Sequence, residues 1–196
     1  LEGRFPYGRY AQQAIHEGQE GTFLRFIDAT GRGQGDVVPL SRQSREGAQV
    51  AVASQIHGGA VVYTVARDPR SDEIRFRSLS ADGVVGPERR ITSQNQRARD
   101  VSVAAYSAGY VVAYRRIGET ADAAASMHLA FIDDQGNVAG TRLVAGATAA
   151  GARSQVLVGN DGRIVLLWGE AEVPPEAAGD PTAQKLTVGV ARLTCL

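Results

Sequence analysis

Gly58, Gly109 and Gly162 stand 51 and 53 residues apart, and each precedes a hydrophobic run that closes on an aromatic: Tyr63, Tyr114 or Trp168, spaced 51 and 54 apart. A second set of landmarks falls half a unit out of phase. Gly31, Gly83 and Gly136 sit 52 and 53 residues apart in FLRFIDATGRGQG, IRFRSLSADGVVG and LAFIDDQGNVAG. Two landmarks sharing one period exclude a chance recurrence of Gly-rich turns. A period of this size, assembled from short strands, is that of a propeller blade.

The residue types within the unit demand strands. Val61, Val62 and Tyr63, or Val111, Val112 and Tyr114, form β-branched and aromatic runs too short for helices, bounded by Gly, Asn, Asp and Ser. Their apolarity suits inner strands covered on both faces. Asp82-Gly83 and Asn160-Asp161-Gly162 are hairpin signals, because Gly accepts the positive φ that tight turns require. The expected fold is therefore all-β: a β-propeller or part of one, with four-stranded antiparallel blades of about 50 residues, each an a-b-c-d meander. A tandem of small β-sandwich repeats is the competing architecture at this period.

Taken in order, residues 1–21 form a polar N-terminal arm, and residues 22–196 a propeller-like repeat region. Within that region, 22–42 read as a half blade supplying strands c and d, 43–94 and 95–148 as full blades, and 149–196 as an incomplete blade without strand d. Propellers close with about four to eight blades, and open half blades leave unpaired edges. Three resolutions follow: the arm closes the last unit, the chain is part of a longer precursor cut upstream of Leu1, or another copy or subunit supplies the missing strands. The second and third together are the expectation, with the partner being another protein chain or the upstream part of the same precursor. The single Cys195, next to last, is either a free thiol or a disulfide or other contact to that partner.

Twenty-one basic residues balance 21 acidic ones, which removes the electrostatic case for a nucleic-acid partner. All the basic residues except Lys185 are Arg. No apolar run reaches the ~18 residues of a membrane span. Leu1 in place of Met reads as a processed or truncated start.

The patterns VSVAAYSAGYVVAYRR and LAFIDDQGNVAG resemble the divergent propeller repeats of large secreted or surface proteins of bacteria. That resemblance implies an extracellular, cell-surface or periplasmic scaffold or binding module and brings no catalytic residues with it. It departs from better-marked propellers in having no WD dipeptide, no kelch double glycine and no sialidase Asp box.

Candidate chemistry is sparse. GRGQG at Gly31–Gly35 imitates a phosphate loop, but DVVPLS follows it rather than a helix, so it reads as a hairpin. Asp28, Asp82, Asp133 and Asp161 sit singly at turns, where Asp caps its own backbone, rather than converging as calcium ligands do. His16, His57 and His128 fall at different phases of the repeat. No catalytic residue, cofactor or metal is therefore expected. Arg115, Arg116, Glu119 and Glu170 are the candidate ligand-binding residues. The arginines, with Tyr63, Tyr106 and Tyr110, would line one face of a propeller for an acidic or sugar ligand, and the glutamates lie in the two variable b-to-c loops. Two function classes follow: a non-enzymatic structural or protein-interaction module completed by another chain, or a glycan-binding or glycoside-processing propeller. The second needs paired carboxylates about 5 to 10 Å apart, for which Glu119 and Asp122, or Glu170, Glu172 and Glu176, are the candidates.

Overall fold

The computed structural model describes residues 7–16, 19–28, 30–41, 49–68, 71–93, 96–118, 125–148, 154–172 and 185–193. They form four antiparallel sheets in chain order. The first contains β1 (Tyr7–His16), β2 (Gln19–Asp28) and β3 (Gly33–Ser41). The second contains β4 (Val50–Gln55), β5 (Gly58–Asp68), β6 (Ser71–Ser80) and β7 (Arg89–Arg90), and the third β8 (Arg97–Tyr106), β9 (Gly109–Ile117), β10 (Ala125–Ile132) and β11 (Val138–Thr148). The fourth contains β12 (Ser154–Val158), β13 (Ile164–Glu172) and β14 (Lys185–Leu193). Every sheet is a meander of neighbouring strands, as the repeat requires.

One turn recurs through the repeat. Gly31, Gly83, Gly136 and Gly162 all have positive φ, between 76° and 91°. Each donates its N–H to the carbonyl three residues earlier, on Asp28, Ser80, Asp133 or Gly159. This is a type I turn followed by a left-handed glycine, a common three-residue hairpin connection. Asp28 and Asp133 complete it by accepting the backbone N–H groups of Thr30 and Arg32, and of Gln135 and Asn137. The turn hydrogen bonds hold both carboxyls below the usual range, led by the Thr30 hydroxyl at Asp28 and the Asn137 amide at Asp133.

The sheets stack face to face, and three apolar cores join them in series. Leu24 and Leu40 of the first sheet meet Val61, Tyr63 and Val65 of the second. Ala60, Val62, Ile74 and Phe76 on the other face of the second meet Tyr110, Val112 and Tyr114 of the third. Val111, Ala113, Met127 and Leu129 meet Val156, Ile164, Leu166 and Trp168 of the fourth. Strand alternation sends neighbouring residues such as Val61 and Val62 into different cores, so both faces of the two middle sheets are covered. Each fully buried side chain of this kind contributes roughly 1.5 to 3 kcal/mol.

Residues 1–21 do not make a separate arm where they are described. Tyr7–His16 is β1, paired with β2 from Tyr7 opposite Asp28 to His16 opposite Gln19. Among the described residues the first sheet thus supplies b, c and d, rather than c and d alone. Its N-terminal strand belongs to the first sheet and does not close the last. The polar YGRYAQQAIH obscured this strand because it carries little β-branched or alternating signal.

Candidate functional site

The innermost strands β4, β8 and β12 lie side by side, and the groove along them holds about 550 Å³. Its lining runs from Ala51 and Val52 through Ser102 and Val103 to Ser154, Gln155 and Val156, with Leu167, Trp168, Gly169 and Val188 of the fourth sheet. None of these described lining residues is ionisable. The two hydroxyls serve the sheets themselves: Ser102 Oγ accepts the Val156 amide at 3.0 Å, and Ser154 Oγ donates to the Asp100 carbonyl at 2.5 Å.

A polar hub occupies the start of the innermost strands, the end of each sheet from which the b-to-c connections also leave. Gln49, Asp100 and Ser154, 51 and 54 residues apart in sequence, meet there. Gln49 Nε2 donates to Asp100 Oδ1 at 3.0 Å, while Gln49 Oε1 accepts the backbone amides of Asp100 and Val101. Asp100 has φ 57° and is buried, and the Arg115 guanidinium lies 2.5 Å from its Oδ2 with 9% of each side chain exposed. The register slips between Arg99 and Ser102, so this left-handed aspartate sits in a bulge. One residue therefore ties three sheets together: Gln49 belongs to the connection entering β4, Asp100 to β8 and Ser154 to β12. A second tie repeats the logic at the other end of β4, where Gln55 Nε2 donates to the carbonyls of Tyr106 and Gly109 at 3.1 and 2.7 Å.

Two further charged groups lie between sheets. Asp72 of β6 receives Arg99 Nε of β8 at 2.6 Å. Between the first and second sheets, Glu73 pairs with Arg75 and Arg90, and Glu88 with Arg75 and Arg77. Tyr63 Oη donates to Glu88 at 2.7 Å and accepts from Arg77 Nε at 3.1 Å. Burial pushes the Tyr63 phenol well above its ordinary value.

The candidate residues separate accordingly. Arg115 points into the third-to-fourth sheet interface and holds Asp100, so it does not line an open face; Arg116, its neighbour, points the other way and is exposed. Tyr63 and Tyr110 are core residues, and Tyr106 packs edge-on to Phe131, so the tyrosines do not form a ligand platform either. Glu170 lies in β13 opposite Thr187, not in a loop. Glu119, Asp122, Glu176 and Cys195 lie outside the described residues. GRGQG is the first-sheet hairpin turn leading into β3. The sequence reading missed Gln49 and Asp100, although their 51-residue spacing is the repeat period itself.

His128 stacks on Tyr114 at 5.5 Å and its Nε2 lies 2.9 Å from Ser126 Oγ. Desolvation first, and the charge of Arg116 second, hold its pKa below the ordinary histidine value. Folding therefore disfavours its protonation, so stability is complete above about pH 6.5 and falls as pH drops through that value toward the lower folded pKa. The urea midpoint of the wild type is expected to fall between pH 7.5 and 5.5 by more than that of His128→Gln. Equal pH dependence in the two proteins would contradict the assignment.

No family model and no curated protein matches the chain. Among solved structures, the parainfluenza virus 5 hemagglutinin-neuraminidase ectodomain is similar with TM-score 0.52 at 5% identity, over 76% of this chain and 41% of that one. A thermostable family-43 glycoside hydrolase has TM-score 0.43 at 11% identity, over 95% of this chain and 71% of that one. The chain thus spans less than half of the neuraminidase ectodomain's length. The first likeness and the four stacked antiparallel sheets agree on the fold, an all-β partial propeller.

Proposed function

We infer that this chain is a non-enzymatic structural and protein-interaction module, a propeller segment of a secreted or surface assembly that is completed by another chain. The observation that carries the reading is the use of the polar groups at the strand-a end: Asp72 with Arg99 and Gln49 with Asp100 tie the second sheet to the third, and Arg115 holds Asp100 in place within the third. Catalysis instead needs such groups facing a substrate with matched pKa values, and the groove beside them is lined by apolar residues, hydroxyls and one amide. A charge held between sheets contributes to sheet order.

The alternative, a glycan-binding or glycoside-processing propeller, draws on the fold shared with a neuraminidase ectodomain. It would need a carboxylate pair across the groove mouth. Incubating the full chain with chromogenic glycosides, sialosides included, and screening it on immobilised glycans tests both. The structural reading predicts neither turnover nor saturable binding. Turnover that Glu170→Gln abolishes would replace it with the glycosidase reading.

A further inference from the structure

We propose that Ser126 is an activated nucleophile that takes an acyl group from an activated ester, with His128 as the general base and Arg116 as the cation that meets the developing oxyanion. The product is a chain acylated once at Ser126, so the proposal goes beyond the structural reading and does not rest on it.

The arrangement follows from strand geometry. Side chains two apart on a strand share a face, so Ser126 and His128 stand side by side on β10 while Met127 between them enters the core against the fourth sheet. Ser126 Oγ lies 2.9 Å from His128 Nε2, within the reach that a nucleophile and its base require. Their register partners on β9 are Arg116, opposite Ser126, and Tyr114, opposite His128. Tyr114 is 4% exposed and belongs to the core between the second and third sheets, and its ring stacks on the imidazole at 5.5 Å and 16°. The base thus has its ring plane fixed by a group anchored in the core, the third member that such a constellation needs. Ser126 and His128 are partly exposed and Arg116 is exposed, so the hydroxyl is reached from solvent.

Desolvation, and then the charge of Arg116, keep the imidazole neutral at neutral pH, as a base must be. With its proton on Nδ1 the ring accepts the Ser126 O–H through Nε2. Ser126 Oγ attacks the acyl carbon as its proton passes to Nε2. The bond from that carbon to the leaving oxygen then breaks, and the proton moves on from Nε2 to the departing oxygen. An acyl ester on Ser126, a free phenol and a neutral His128 result when the donor is an aryl ester. Residues directly opposite in an antiparallel pair have Cβ atoms about 5 Å apart, which puts the Arg116 guanidinium within reach of the carbonyl oxygen as it becomes anionic. An aryl ester has a far better leaving group than the serine ester it forms, so the acylated chain accumulates as acyl intermediates do in burst kinetics.

The test incubates the full chain with p-nitrophenyl acetate and follows its mass and peptide map by mass spectrometry. One acetyl group per chain is expected, on Ser126, with an equal burst of p-nitrophenol. His128→Gln, compared below its melting transition, is expected to slow labelling of Ser126 by about 100-fold or more, the loss of a general base. The urea-unfolded chain is expected to label Ser126 no faster than its other serines. Arg116→Met, at an exposed position, reads the same site without disturbing the core and is expected to slow labelling several-fold. Acetylation confined to other residues overturns the proposal, and so does labelling of Ser126 at the wild-type rate in His128→Gln or in the unfolded chain. Sustained release of p-nitrophenol that Ser126→Ala abolishes keeps Ser126 as the nucleophile and removes the non-enzymatic reading instead; a single acetyl group on Ser126 leaves both standing.

Discussion

Replacing Arg115 with Met is expected to destabilise the chain by about 3 to 5 kcal/mol, the cost of breaking a buried ion pair from one side. The side chains of Arg115 and Asp100 are each only 9% exposed, and their closest approach is 2.5 Å. Removing the guanidinium leaves a carboxylate in a low-dielectric seam where Gln49 Nε2 alone cannot neutralise it. Arg116→Met is the matched control, because the next residue along β9 is exposed and a surface substitution changes stability by about 0.5 kcal/mol or less. The Asp100→Gly/Arg115→Met double variant is expected to recover part of the loss, since both charges leave together and Gly accepts the φ of 57°. Urea unfolding of the four proteins makes the comparison. An Arg115→Met midpoint equal to that of Arg116→Met would mean that Asp100 is not held by Arg115.

The second large effect is expected at Gly109, where alanine should cost about 3 kcal/mol by combining backbone strain with overpacking. Its φ of 137° is one that side-chain-bearing residues rarely adopt, and an added Cβ would collide with the Ile132 carbonyl oxygen and crowd the Asp133 backbone. Those atoms belong to the neighbouring strand and its turn, so the collision cannot be relieved by a rotamer change. Gly162 provides the contrast. Its φ is 76° and nothing lies within 4 Å of the added atom, so Gly162→Asn keeps a left-handed conformation that asparagine tolerates. Thermal unfolding should place Gly109→Ala far below the wild type and Gly162→Asn near it; similar melting temperatures for the two variants would contradict the backbone collision.

The parts of this fold legible in the sequence are those that depend on local chemistry repeated at a fixed interval. Gly31, Gly83, Gly136 and Gly162 announced their turns because only glycine suits that φ cheaply. Val61 to Tyr63 and Val111 to Tyr114 announced buried strands because both of their faces are apolar. β1 escaped notice because YGRYAQQAIH lacks that signature and takes its place by pairing with β2. The charged residues were the least legible. Arg115 and Arg116 are identical in composition and adjacent in sequence, yet strand alternation buries one against Asp100 and leaves the other in solvent. The phase of that alternation is fixed by tertiary packing. Gln49 and Asp100 do carry a signal, their spacing by one repeat, but only contact between successive sheets gives that spacing a meaning.

Gln49 joins the second sheet to the third through Asp100, and a double-mutant cycle between the two residues measures that directly. The residues are 51 apart in sequence and joined by a 3.0 Å hydrogen bond to a carboxylate. Gln49→Ala, Asp100→Gly and the combined variant, unfolded in urea, are expected to show a coupling of about 1.5 to 3 kcal/mol, the range for a hydrogen bond to a charged group. Free energies that add to within about 0.5 kcal/mol would contradict the account and return Asp100 to the pool of groups free to meet a ligand.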